Sequence, residues 1–205
     1  MTYAYFSLPR SLKAAAFFER HLPALALRLP AITLPDRVVH HVLGAGVWSV
    51  ALVNGQLDVQ PGVVGPIGLQ ISMTEAHFRE AMTGALRDRH LEVLKRQRLP
   101  LEIPDLTRLQ VDPARLRAAI AVGGSVAIVI HDREYDDRYR YVLTIGAGPA
   151  AYDKATTTIE VDADDLVALV AARTPPMAVL VSGKLRLAGD IGLPGKLLSS
   201  LFGRS

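Results

Sequence analysis

The stretch VSGKLRLAGDIGLPGKLLSSLF, Val181 to Phe202, joins a short charged strand to a leucine-rich helix through glycines. Glycines placed there either cradle a phosphate or turn the chain. A phosphate loop needs G-x-x-x-x-G-K followed by Ser or Thr. Here Leu185 follows Lys184, and no glycine stands five residues before Gly183, so the glycines are turns. Leu185 and Leu187 point to one strand face, Lys184 and Arg186 to the other. Gly189-Asp190 ends the strand. Pro194 suits a helix's first turn, and Leu197, Leu198, Leu201 and Phe202 form its apolar stripe, with Lys196 off it. The segment predicts a strand that turns and lays an apolar helix back over a sheet.

The whole chain has 205 residues, half of them hydrophobic, enough for one or two domains with a core. It has no cysteine, which excludes disulfides and thiolate metal sites. The six histidines are scattered, and the adjacent pair His40-His41 does not share a face, so no metal site is expected. No apolar run reaches the roughly 20 residues that span a bilayer, and Pro9, Arg10 and Lys13 interrupt the N-terminus as a signal peptide. A cytoplasmic protein is expected, peripheral at a membrane at most. The net charge of +3 with a pI of 9.3 permits an anionic partner without demanding one.

Ser11 to Leu29 keeps helical spacing at Leu12, Ala15, Phe18 and Leu22, with a break at Pro23. Val47 to Pro61, VWSVALVNGQLDVQP, is a hairpin: Asn54-Gly55 supplies a type I′ turn. It pairs Leu52 with Leu57 and Val50 with Val59, on one face with Trp48. Gly68 to Met73 follows as a strand. Thr74 is an N-cap, with Glu75 in the first turn. Phe78, Ala81 and Met82 form that helix's stripe, and Gly84 stops it. Arg87 to Arg98 is a basic helix. Pro100, Pro104 and Pro113 bracket a connector.

The order then recurs. Ser125 to Ile130 is a strand, His131 to Asp137 a charged loop, and Tyr139 to Ile145 an alternating strand. Thr156 to Val161 is another. Asp162 caps a helix with stripe Leu166, Leu169 and Val170. ISMTEAHFREAM and IEVDADDLVALV share the order strand, capping residue, acids, apolar stripe, with Ile71 corresponding to Ile159. Strands followed by helices in each half predict an α+β fold: antiparallel sheets covered on one face by helices, in two related lobes. The expected division is 1–98, a connector at 99–112, and 113–205.

Three motifs tempt. VLTIGAGPAA carries Gly146, Gly148 and Ala151 in G-x-G-x-x-A order, but a dinucleotide fingerprint needs a helix to follow. YDKATTTIEV favours a strand instead. HDREYDD spaces Asp132, Glu134 and Asp136 like calcium ligands yet lacks the glycine and distal glutamate, so a solvated hairpin tip is expected. The basic helix has no interleaved aromatics, so no nucleic-acid partner is expected. No nucleophile–base pair or G-x-S-x-G is visible, and neither catalysis nor a cofactor is predicted.

PMAVLVSGKLRLAGDIGLPGKLLSSLF resembles the C-terminal signature of the sterol carrier protein type two domain: an apolar pair, S-G-K-L-x-h-x-G-D, then a Gly-Leu-rich helix. Met177, Ser182, Gly183, Lys184, Leu185, Leu187, Gly189, Asp190, Gly192 and Leu193 carry the match. VWSVALVNGQLDV and LQISMTEAHFREAMTG resemble the family's hairpin, strand and helix. The first half lacks its own G-K-L-x-h-x-G-D segment, and the second half's hairpin carries GAGPAAYDK where the family has a simpler glycine turn. The resemblance implies a sheet covered by helices with an apolar tunnel between, binding or transferring a lipid, fatty acyl chain or sterol-like molecule without covalent chemistry. The residues expected to line it are Trp48, Phe78, Met82, Leu166, Leu169, Met177, Leu180, Leu185, Leu197, Leu198 and Leu201. The alternative is an accessory protein presenting isoprenoid or quinone intermediates to partner enzymes. In that role the basic helix would dock a protein or an anionic membrane.

Overall fold

The computed structural model describes residues 8–24, 33, 34, 36–96, 112–170 and 182–202. One eight-stranded sheet runs through it. The strands are β1 (Arg37–Leu43), β2 (Gly46–Val53), β3 (Gln56–Pro61), β4 (Ile67–Thr74), β5 (Ser125–Asp132), β6 (Asp137–Ile145), β7 (Thr157–Asp162) and β8 (Leu185–Gly189). Their spatial order is β3-β2-β1-β4-β6-β5-β7-β8. The helical elements are α1 (Ala14–Ala16), continued by a π-turn Phe17–His21 and by α2 (Leu22–Ala24), then α3 (Glu75–Thr83), α4 (Ala85–Arg96), α5 (Pro113–Val122), α6 (Ala163–Val170) and α7 (Gly192–Phe202).

The α+β class follows from the pattern, but the expected antiparallel sheets form one mixed sheet. β1 pairs with β4 in parallel, and β5 pairs with β7 in parallel. The reason is placement: each half makes a hairpin, then sets its next strand on the far side of the hairpin's first strand, running the same way. His40 opposes Ile71, and Ile128 opposes Ile159, with the same spacing along the chain. A helix follows each of the later strands, α3 after β4 and α6 after β7. The halves meet where β4 pairs antiparallel with β6, Ile71 opposite Leu143. The expected connector lies outside the described residues, except for Asp112.

Local chemistry accounts for most boundaries. Asn54 (φ 50) and Gly55 (φ 80) make the β2–β3 turn, with Leu52 opposite Leu57 and Val50 opposite Val59. Thr74 Oγ1 caps α3 by accepting from the His77 amide at 3.1 Å. Asp112 Oδ1 caps α5 at the Ala114 amide, 2.9 Å, with Pro113 in the first turn. The strand, glycine corner and helix of the opening stretch form where its pattern predicts. Gly189 has φ 82, and a Cβ there would stand 2.3 Å from the Thr156 carbonyl oxygen. Asp190 Oδ1 then accepts from the Gly192 amide at 2.9 Å and starts α7.

Successive side chains alternate between the two sheet faces. One face is covered by α1, α3, α4 and α6, and two apolar clusters lie beneath them. The other face carries small side chains: Val39, Ser49, Ala127, Val129 and Val142 are all fully buried there.

Candidate functional site

The helix-covered face differs between the halves. In the first, Phe18 stacks on Trp48 (centroids 4.9 Å apart, planes 10°) and tilts against His40 at 4.8 Å. Phe17 meets Phe18 and Phe78 edge-on at 5.2 and 5.4 Å. Trp48 and Phe78 are 3% and 1% exposed. Met82 packs against this cluster, half-buried. His40 and its row partners Trp48 and Ile71 thus lie beneath aromatic rings. Burial, then the neighbouring His41, lowers the His40 pKa to about 4.

In the second half the corresponding row starts at Tyr141, opposite Ile128, and is aliphatic from there outward. Ile128 opposes Ile159, and Ile159 opposes Leu187. All three are half-buried, as are Leu166 and Leu169 on α6 and Leu185 on β8. Below them Ile130, Tyr139, Val161 and Ala163 form a buried cluster. Burial pushes the Tyr139 hydroxyl pKa well up.

The sequence-predicted lining residues therefore divide into three groups. Trp48, Phe78 and Met82 belong to the aromatic cluster. Leu166, Leu169 and Leu185 border the aliphatic row. Leu197, Leu198 and Leu201 sit on α7, which packs against α5: Leu193 reaches Gly124, and Arg115 Nη1 donates to the Leu201 carbonyl at 3.4 Å. α7 leaves the Gly189 end of β8, paired with Thr157 at the start of β7, whereas α6 follows the end of β7. The expected facing of α7 onto Leu169 is thus replaced by packing on α5. Leu197 and Leu201 are half-buried, and Leu198 is 52% exposed. Met177 and Leu180, with the whole PMAVLV segment, lie outside the described residues.

The charged loop and the basic helix find each other. Arg89 on α4 donates to Asp132, to Asp164 at 2.9 Å, and lies 3.2 Å from Glu134. Burial opposes its charge, yet Asp132 and Asp164 hold its pKa above the ordinary value. Asp132 also accepts from the Glu134 and Tyr135 amides, and its side chain is fully buried. The hairpin tip at 133–137 is exposed to solvent as expected, and the buried Asp132 anchors its base. Arg87 is likewise buried, donating to Asp88 and the Leu8 carbonyl. Lys95 and Arg96 of the basic helix are exposed.

Two adjoining surface cavities of about 250 and 280 Å³ share His131, Arg133, Asp162 and Lys184. Ion pairs line them, Arg133 with Asp162 at 2.6 Å and Lys184 with Asp165 at 2.7 Å, and His131 Nε2 lies 3.5 Å from Glu160. Ion-paired walls suit water better than an alkyl chain. Gly146 (φ 79) ends β6 in a turn, and no helix starts before β7, so no dinucleotide cradle forms at GAGPAA. Among the described residues no cluster of His, Asp and Glu suits a metal, and no helix is long and apolar enough to cross a membrane.

Two strands escaped neither pattern nor turn signals in the hairpins, but β1 and α5 were missed. β1, RVVHHVL, is flanked on both sides, by β2 and β4, so it shows no polar–apolar alternation. α5 announces itself through Asp112-Pro113, a cap and first-turn signal hidden by reading Pro113 as linker.

Fold and site define an α+β protein with one mixed sheet whose helix-covered face carries a packed aromatic cluster in the first half and, beyond Tyr139 and Tyr141, an aliphatic row in the second. Residues 107–201 match the model of the SCP-2 sterol transfer family. No curated protein matches. Among solved structures, the chain is similar to sterol carrier protein 2 like 2 from Aedes aegypti: 19% identity, 55% of this chain and 93% of that chain, TM-score 0.33. It is also similar to apo sterol carrier protein 2 from Yarrowia lipolytica: 13% identity, 40% and 77% covered, TM-score 0.33. A third is the sec-alkylsulfatase Pisa1 from Pseudomonas sp.: 16% identity, 49% of this chain but 16% of that chain, TM-score 0.32.

Proposed function

We propose that the chain binds a lipid-like apolar ligand, without covalent chemistry, on the aliphatic row of its second half. The family match at residues 107–201 carries the reading. The half-buried Ile128, Ile159, Leu185 and Leu187, bordered by Leu166 and Leu169, support the placement. An alkyl chain laid on that row removes apolar surface from water at about 25 cal/mol per Å². Trp48, Phe78 and Met82 belong instead to the packed half, where Phe17 and Phe18 occupy the space. Transfer of the ligand, including presentation of an isoprenoid or quinone intermediate to an enzyme, is the finer form of the same proposal.

Titration with a fluorescent fatty acid tests it. Ile159→Glu places a charge on the row and is expected to weaken the probe at least tenfold. Leu166→Trp, which fills the border without a charge, is expected to weaken it as well. Circular dichroism melting of both variants separates lost binding from lost folding. Saturable wild-type binding unchanged in folded variants moves the site elsewhere. No saturable binding in the wild type contradicts the function.

A further inference from the structure

The opposite sheet face carries a row of polar side chains across its centre. Gln70 on β4 lies directly opposite Thr144 on β6, and Thr144 directly opposite Ser125 on β5. Ser72 is next along β4 on the same face. All four are at least nine-tenths buried.

Over this row runs the segment 146–156, which the sequence singled out as GAGPAAYDK. It is tied down at three places. Gln70 Nε2 donates to the carbonyls of Gly146, at 3.1 Å, and Gly148. Arg140 Nε donates to the Tyr152 carbonyl at 3.1 Å, and the Tyr152 hydroxyl lies 3.3 Å from His77 Nδ1. The Thr156 amide donates to Ser125 Oγ at 3.0 Å. A Cβ on Gly148 would meet the Thr144 methyl at 3.9 Å, so the strap lies against that residue. His41 completes Gln70 by meeting its Oε1 at 2.9 Å.

Two groups are left out of this arrangement. Ser72 Oγ and Thr144 Oγ1 are buried with no hydrogen-bond partner. Buried hydroxyls are ordinarily paired, and an unpaired one signals a partner that is not the protein. They sit diagonally across β4 and β6, about 7 Å apart at Cβ, a span that one ligand oxygen or two neighbouring ones bridge. Each hydroxyl both donates and accepts. The surrounding floor is apolar and small: Val39, Val142, Ala127 and Val129.

The geometry points to a second ligand site, under the strap, for an aliphatic molecule with an uncharged hydroxyl or carbonyl head. The head takes Ser72 and Thr144, and the tail lies on the valine and alanine floor. Lifting the strap also frees the Gln70 amide to donate to the head. Gln70 holds the strap only through the Gly146 and Gly148 carbonyls, so lifting it there costs those two hydrogen bonds. This site lies on the other face of the sheet from the aliphatic row and is independent of it.

The chain has no cysteine, so Ala150→Cys, at an exposed strap position, takes a single environment-sensitive dye. The expected result is a saturable signal with 1-dodecanol and at least tenfold weaker response to dodecane or dodecanoate. Adding Ser72→Ala and Thr144→Val should raise the alcohol's half-saturation at least tenfold, with no fall in melting temperature, since no internal hydrogen bond is lost. Binding of the fluorescent fatty acid should stay within twofold, which separates this site from the aliphatic row. An alcohol response unchanged in the folded double variant overturns the site. So does an equal response to dodecane, a stronger one to dodecanoate, or no saturable signal in the labelled wild-type background.

Discussion

His40 and Ile128 hold corresponding places in the two halves, each opposite an isoleucine on the neighbouring parallel strand. Phe18 lies over His40, stacked on Trp48. Beside Ile128 lies Tyr141 in register, with Leu86, Leu166 and Leu169 packed on the same cluster, and Ile128 stays half-buried. The difference begins outside the sheet. The N-terminal helical segment delivers Phe17 and Phe18 to the first half, where aromatic pairs add about 0.5–1.5 kcal/mol beyond their burial. The same strand pairings thus support a filled core on one side and an open apolar row on the other. The aromatic residues of the N-terminal helical segment, rather than the strand pairings, account for the filled first half.

The comparison breaks most visibly at Phe18. Phe18→Ala should cost about 3–5 kcal/mol in urea unfolding, because the rings of Phe17, His40, Trp48 and Phe78 around it leave a cavity that cannot collapse. A cost below about 1 kcal/mol would mean that the first half is not the packed one. Next comes the join between halves. Arg89→Met should cost about 3 kcal/mol, because it leaves Asp132 buried without its cation. A double variant with Asp132→Asn should recover much of that loss, measured as a coupling energy in a double-mutant cycle.

His40 gives a smaller, pH-dependent effect. Its folded pKa of about 4 lies below the unfolded value near 6.5. Between these, the unfolded chain binds a proton that the folded one does not. Stability is therefore full above about pH 6.5 and falls as pH drops toward 4, by on the order of 2–3 kcal/mol. His40→Leu should flatten urea midpoints across that window; an unchanged slope would place the titrating group elsewhere. Smallest is Leu198→Ala. At 52% exposure, it should change stability by about 0.5 kcal/mol or less. A loss of 2 kcal/mol or more would show that α7 closes a core after all.

The parts of the fold that were legible in the sequence are those fixed by local chemistry. Asn54-Gly55 set the β2–β3 register, Thr74 set the start of α3, and Gly189-Asp190 set the corner into α7. What stayed hidden depends on distant neighbours. β1 is central, so its pattern has no solvent face to reveal. The parallel pairings depend on which side of a hairpin the next strand takes, which no spacing encodes. Of the expected lining residues, Leu166 and Leu169 pack on the second half's buried cluster and Leu185 pairs with Val161 in it, as helix and strand periodicity suggests; that they line a ligand is the proposal. Trp48 and Phe78 showed the same periodicity, yet only the arrival of Phe17 and Phe18 makes theirs a filled core. Asp132 and Arg89 looked like separate solvated charges because their meeting joins residues 43 apart in the chain.

Native mass spectrometry of the purified protein, paired with organic extraction, tests the central claim most directly. The account predicts a small apolar molecule bound one to one, displaced by a fluorescent fatty acid and lost in folded Ile159→Glu. A wild-type protein that carries no such molecule, and takes none up when offered lipid vesicles, would contradict it.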